Sequence, residues 1–153
     1  MRAVLQRVTA ARVRVAGVLV AEIGAGLLAL VGVEAGDAAA DAAWLAGKIA
    51  GLRIFADAAG KMNHNLAAAG GAVLAVSQFT LLGDASRGHR PSFARAARPE
   101  AAQPLFDHLV LTLRGHGCTV CTGVFGAHME VELINDGPVT IWLDSRSVER
   151  AGR

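Results

Sequence analysis

A chain of 153 residues is long enough for one domain with a substantial core. It is 53% hydrophobic with a mean hydropathy of +0.41, yet no run approaches the ~18 uninterrupted apolar residues of a membrane helix. A net charge of +2, from 15 basic and 13 acidic residues, excludes wholesale coating of nucleic acid but leaves room for docking one RNA end on a local patch. Tyrosine is absent and aromatics make up 5%, which argues against a stacking platform for long single strands.

The N-terminal segment reads as a strand over 2–8, with Ala3, Leu5 and Arg7 on one face. It lacks the apolar core of a signal peptide, so a cytoplasmic protein is expected. Residues 11–16 and 18–23 read as a hairpin around Gly17. Gly24-Ala25-Gly26-Leu27-Leu28-Ala29 has the spelling of a dinucleotide fingerprint, but that fingerprint needs a helix directly after its glycines. The run that follows, 27–33, is short and apolar, and a buried strand is the expectation. A helix is predicted over 38–52 from the spacing of Trp44, Leu45, Lys48, Ile49 and Leu52. Arg53-Ile54-Phe55 begins a short strand, and 57–65 is a polar loop.

An apolar strand over 72–82 carries Ser77-Gln78-Phe79-Thr80-Leu81 near its end. Polar side chains in a buried strand cost free energy unless they find partners, so this stretch points to a site. Residues 83–97 form a loop with Arg87, His89, Arg90, Phe93 and Arg95, the most basic region of the chain. A helix is predicted over about 99–115, with an apolar stripe of Leu105, Phe106, Leu109, Val110 and Leu113. Pro99 suits its first turn, whereas Pro104 fits poorly inside, which places the expected start later. Strands are predicted over 118–125, 128–135 and 138–144. Between the last two lies Asn135-Asp136-Gly137-Pro138-Val139-Thr140. A Gly-Pro step there offers close backbone approach, one missing donor and access to a cis peptide. Residues 145–153 are charged and expected to fray.

Cys118 and Cys121 form a C-x-x-C beside His116. It reads either as a redox pair or half a zinc site, or as two reduced thiols. The second ligand pair is absent, and on a strand residues three apart face opposite sides. The order of strands, helix, strand, helix and strands, without linker or repeat, predicts one α/β domain with a mixed sheet and helices on one side.

With these stretches in hand the chain closely resembles the D-aminoacyl-tRNA deacylases (the D-tyrosyl-tRNA deacylase family), dimeric proofreading enzymes that remove D-amino acids from tRNA. The matching strings are Leu5-Gln6-Arg7-Val8, Gly60-Lys61-Met62-Asn63, Ser77-Gln78-Phe79-Thr80-Leu81, Arg90-Pro91-Ser92-Phe93 and Asn135-Asp136-Gly137-Pro138-Val139-Thr140. The likeness covers about residues 1–144 as one domain, leaving 145–153 as a tail. It implies a single α/β domain in three layers, with helices packed on two β layers. It also implies a homodimer with its site at the subunit interface, the aminoacylated 3′ end of tRNA as partner, and neither cofactor nor metal. The implied reaction is hydrolysis of the D-aminoacyl ester, with glycyl-tRNA mischarged on tRNA-Ala as a further substrate.

The resemblance also implies roles. A cis Gly-Pro peptide enters the partner subunit's site, where the carbonyls of Gly137 and Pro138 accept hydrogen bonds from the substrate α-amino group. An L-enantiomer would have to push its side chain into that backbone. Ser77, Gln78, Phe79 and Thr80 line the opposite wall, with the N–H groups of Phe79 and Thr80 as oxyanion donors. Phe125 and Met129 match pocket-wall positions, although core packing is the plainer reading of both. Arg7 braces the Gly-Pro loop, against the plainer reading of a surface or interface ion pair. Lys61, Arg87 and Arg90 are expected to contact tRNA phosphates, or, for the Arg90 loop, to pack beneath the site. Thr80 and Ser77 are candidate nucleophiles, but a hydroxyl needs a base, and none of His64, His89, His108, His116 and His128 lies in a triad-like motif. The family implies instead that the 2′-hydroxyl of the terminal adenosine activates the water. Two rivals stand beside this reading: a metal-dependent hydrolase built on His116, Cys118, Cys121 and another histidine, and a non-catalytic tRNA-binding module.

Overall fold

A computed structural model describes residues 1–147. Its spine is β1 (Arg2–Val15), a single 14-residue strand where a strand over 2–8 and a separate hairpin arm over 11–16 were expected. Both halves pair along one edge with β8 (Glu130–Asp144). Along the other edge, residues 2–8 pair with β3 (Gly26–Gly32) and residues 11–15 with β2 (Val18–Ile23). The strand changes neighbour, not direction, so local pattern reads it as two pieces.

The expected strands over 128–135 and 138–144 likewise merge into β8. Gln6 pairs with Thr140 and Val8 with Asn135. While β1 advances two residues β8 advances five, so residues 136–139 stand out of the ladder as a bulge. The Gly137–Pro138 peptide in it is cis, as the family resemblance implies.

The sheet continues from β3 to β6 (Ala72–Ser77) and β7 (Thr119–Thr122), with β3–β6 and β6–β7 parallel. Parallel neighbours need crossovers, supplied by α1 (Ala39–Gly51) and α2 (Pro99–Gly115). Because β3, β6 and β7 succeed one another in one direction, constant crossover handedness puts both helices on the same face. Leu45 and Ile49 of α1 and Phe106, Leu109 and Leu113 of α2 pack there on Leu5, Leu27, Ala29, Val73 and Ala75. The opposite face, with Leu28, Leu74 and Val76, is covered by Val8, Ala11, Val13 and Ile23, where β1 and β2 curl back over the sheet. The result is three layers, helices on two β layers. Each large side chain so buried stabilises by roughly 1.5–3 kcal/mol.

Several local readings are corrected. The buried stripe of α1 is Ala42, Leu45, Ala46 and Ile49, while Lys48 is exposed over the Trp44 ring. Helix α2 begins at Pro99 and contains Pro104, because Pro104 is exposed and the Glu100 carbonyl it leaves without a partner lies in the solvated first turn. The 72–82 strand stops at Ser77, and Phe79–Leu82 forms a 3-10 turn. Gly26 needs no nucleotide: at φ +156° a Cβ would lie 1.9 Å from the Ala72 carbonyl oxygen, so it is the close approach of β3 to β6 that requires glycine. A short hairpin, β4 (Phe55–Ala56) and β5 (Met62–His64), stands apart from the main sheet where a polar loop was expected over 57–65. The tail does not fray from 145. Ser145 is buried and donates to Asp41 Oδ1 at 2.6 Å, and Arg146 reaches Asp37 at 3.2 Å and Glu34 at 3.4 Å. The expectation for 148–153 lies outside the described residues.

Candidate active site

Where β6 ends, a cavity of about 520 Å³ opens between the sheet, the start of α2 and the loop from β7 to β8. Ser77, Gln78 and Phe79 form one side, Phe106 the floor from α2, and Phe125, His128 and Met129 the far wall. The Ser77–Thr80 stretch leaves the sheet because Gln78 N–H makes the last strand-like bond, to the Val31 carbonyl at 2.7 Å. The chain then tightens into the 3-10 turn, closed by Leu81 N–H on the Gln78 carbonyl at 3.3 Å. The first N–H groups of any helical turn lack intrahelical acceptors. Those of Phe79 and Thr80 have no acceptor among the described residues. Two free donors beside an apolar cavity can stabilise an oxyanion.

The side chains divide differently from the backbone. Thr80 is exposed, lies outside the cavity lining, and its hydroxyl oxygen accepts from Gln78 Nε2. Neither it nor Ser77 is hydrogen-bonded to a histidine among the described residues. Phe79, 57% exposed, meets Phe93 edge to face with centroids 5.2 Å apart, which ties Arg90-Pro91-Ser92-Phe93 to the turn as a structural support. Phe125 packs on Phe106 at 6.1 Å and joins the helix-side core, and Met129 joins the other core. Each is half-buried, packs on a core and also lines the cavity.

Gly137, Pro138 and Arg7 are not among the residues lining this cavity. Arg7 does brace the bulge: its Nε reaches the Asp136 carbonyl at 3.2 Å and the Asp136 carboxylate at 3.3 Å. Its Nη1 donates to the Ile54 carbonyl at 2.6 Å. Gly137 sits at φ +122°, and a Cβ there would come within 2.9 Å of Arg7 Nη2. Gly137 and Pro138 themselves are exposed. Lys61, Arg87 and Arg90 are exposed on two separate loops, outside the cavity. At the second loop Asp84 is held below the ordinary carboxylate range by hydrogen bonds from Ser86.

His128 lines the cavity and was missed by sequence. Its only signal was its place between Phe125 and Met129, two wall positions already implied. Cys118 lies in the helix-side core and Cys121 against the other, so they face opposite ways. Burial pushes the Cys118 thiol up. Among the described residues no three His, Cys, Asp or Glu side chains converge as a metal site, so the rival set of His116, Cys118 and Cys121 is not assembled.

Comparison with known proteins follows the same lines. A sequence profile described as D-Tyr-tRNA(Tyr) deacylase matches residues 4–144. A D-aminoacyl-tRNA deacylase of Thermomicrobium roseum is 61% identical over 145 residues, covering 95% of this chain and 94% of that one. That of Anaeromyxobacter dehalogenans is also 61% identical, covering 95% and 98%. Among solved structures, one described as c-Myc DNA Unwinding Element Binding Protein superposes with a TM-score of 0.88 at 36% identity, covering 94% of this chain and 98% of that chain. A probable eukaryotic D-amino acid tRNA deacylase shares the fold at a TM-score of 0.78 and 18% identity, again covering 94% and 98%.

Proposed function

The chain belongs to the D-Tyr-tRNA(Tyr) deacylase family and hydrolyses D-aminoacyl-tRNA, and we propose that the cavity beside Ser77–Thr80 is where it does so. The observation that carries this is the pair of N–H groups on Phe79 and Thr80, unpartnered among the described residues, in the turn whose Ser77–Phe79 portion lines an apolar cavity. An aminoacyl ester is already activated, so positioning, an oxyanion site and a water suffice. The carbonyl oxygen of the ester points at the two N–H groups, with Ser77, Gln78, Phe125 and Met129 around it. Neither Thr80 nor Ser77 is hydrogen-bonded to a histidine among the described residues, and in this proposal the neighbouring 2′-hydroxyl of the terminal ribose, rather than a side chain, activates the water.

The filter comes from a second copy of the chain. Gly137 and Pro138 are exposed and do not line their own chain's cavity. Trp142, 52% exposed, and Phe79 are exposed large apolar side chains, and Arg2 links their neighbourhoods by reaching both the Trp142 ring and the Leu81 carbonyl. The outer edge of β8 pairs with no other strand among the described residues. A homodimer that covers this surface inserts each Gly-Pro bulge into the partner's cavity. Its carbonyls then accept the α-amino group of a D-aminoacyl ester and leave no room for an L side chain. Glycyl-tRNA, lacking a side chain, passes the same filter. Lys61, Arg87 and Arg90 meet tRNA phosphates around the cavity. Residues 1–144 constitute the catalytic domain. No helix among the described residues is long and apolar enough to cross a membrane, and a cytoplasmic location matches the substrate.

The test is hydrolysis of matched D- and L-aminoacyl-tRNA, with and without a chelator. Turnover of the D substrate alone, unaffected by chelation, is expected. Loss of turnover in chelator would establish the metal-dependent alternative, and binding without turnover the non-catalytic one.

A further inference from the structure

In the Gly60-Lys61-Met62-Asn63 stretch only Lys61 has a role so far. Asn63 sits exposed on β5, in a hairpin whose strands are two and three residues long. So small a ribbon is marginal by itself. It is held by polar bonds that converge on Asn63. Arg53 donates through Nε to the Asn63 carbonyl at 2.7 Å and through Nη2 to its Oδ1 at 3.0 Å. Asn63 Nδ2 donates to Asp57 Oδ2 at 2.6 Å, and Asp57 Oδ1 accepts from the N–H groups of Ala59 and Lys61.

The residue after Arg53 is Ile54, whose carbonyl accepts from Arg7 at 2.6 Å. Arg7 thus has two holds, Ile54 at the base of the hairpin and Asp136 at the base of the Gly-Pro bulge. A guanidinium is a rigid planar fork, so fixing Nη1 on one carbonyl fixes where Nε points. The Asp136 carbonyl belongs to the peptide that leads into Gly137.

We propose that Arg53 and Asn63 are positioning residues for chiral selection. They lock the hairpin that presents the Ile54 carbonyl, which orients Arg7, which sets the backbone of Gly137–Pro138. This rests on the reading above that those two carbonyls are the filter.

The experiment compares kcat/KM for matched D- and L-aminoacyl-tRNA in Arg53→Ala, Asn63→Ala and Arg7→Ala. Both hairpin side chains lie on the surface, and a thermal melt and a sizing column report whether each variant folds as the wild type does. Expected is a D/L ratio lowered roughly tenfold in the hairpin variants, through faster L hydrolysis, a misplacement effect on the scale seen for positioning groups. Equal losses on D and L substrates, the result if the hairpin only presents Lys61 to tRNA, overturn the proposal. A wild-type ratio in the hairpin variants with a collapsed ratio in Arg7→Ala also overturns it, while leaving the filter standing. An unchanged ratio in Arg7→Ala overturns the filter and this inference with it.

Discussion

At Thr80 the residue type and its surroundings point to different chemistry. A threonine in a polar stretch beside a cavity invites the role of nucleophile, yet its oxygen is engaged by Gln78 and it lies outside the cavity lining. In the mechanism proposed above, it is the backbone N–H at this position that meets the substrate, since that N–H has no acceptor among the described residues. Thr80→Ala should therefore retain substantial turnover. A substrate ending in 2′-deoxyadenosine, with the amino acid on the 3′ oxygen, should react ~10²–10⁴-fold more slowly, the usual loss when a general base is removed. Abolished activity in Thr80→Ala, with normal rates on the deoxy substrate, would hand the role to the hydroxyl. Cys118 allows a second residue-level check. Burial disfavours its thiolate, so in the folded protein it should resist alkylation at mildly alkaline pH and react once unfolded. Rapid labelling of the native Cys118 would contradict that. The polar stretch and the Gly-Pro step were legible as anomalies because each broke the strand pattern around it. His128 was not, since an exposed histidine in a loop breaks no pattern.

At the scale of elements, periodicity found both helices with nearly their observed extents, Ala39–Gly51 and Pro99–Gly115, and found most strands while missing where β1 and β8 run on. The reason is that β1 and β8 are defined by partners far away in sequence: β1 is continuous because β8 pairs with both of its halves. Nothing local announces that. The expected range of about 99–115 holds for α2, but Pro104, weighed by local rule alone, argued for a later start than Pro99; burial of Ala102 and Phe106 holds the first turns in place. Pro104→Ala should raise stability by about 1–2 kcal/mol, a fraction of the ~3 kcal/mol for a mid-helix proline; a lower melting temperature would show the ring is needed there. The hairpin gives a pH prediction. Asp57 is held below its ordinary value of 3.8, chiefly by the Asn63 side-chain amide. A carboxylate with a lowered folded pKa contributes order that is present above the unfolded value and lost as pH falls through the folded one. Protection of the Lys61 amide and the Asn63 side-chain resonance should thus hold from neutrality to about pH 4 and fade below it. A change that set in well above that range would show that a group other than Asp57 controls the hairpin.

For the whole molecule, the proposed dimer would make each chain supply two halves of different sites. Basic residues should act as phosphate contacts distributed around the assembled cavity: Arg87→Ala or Arg90→Ala should each lower the log–log salt slope of tRNA binding by about 0.7–0.9. Unchanged slopes would leave the loop as the support that Phe93 already provides. The dimer itself can be tested by complementation. Suppose one variant carries a blocked cavity, Ser77→Trp, and another a disrupted bulge, Pro138→Asp. Each homodimer then has two incomplete sites. In a mixed dimer one cavity is intact and faces the intact bulge of the other subunit, whereas the second site has both defects. Equal mixing with free exchange makes about half the dimers mixed, so about one quarter of wild-type sites should reappear. The activity should grow with the rate of subunit exchange and vanish if the subunits are cross-linked before mixing. If each cavity instead used its own chain's Gly-Pro bulge, no combination of these two variants would yield an intact site, and mixing would restore nothing.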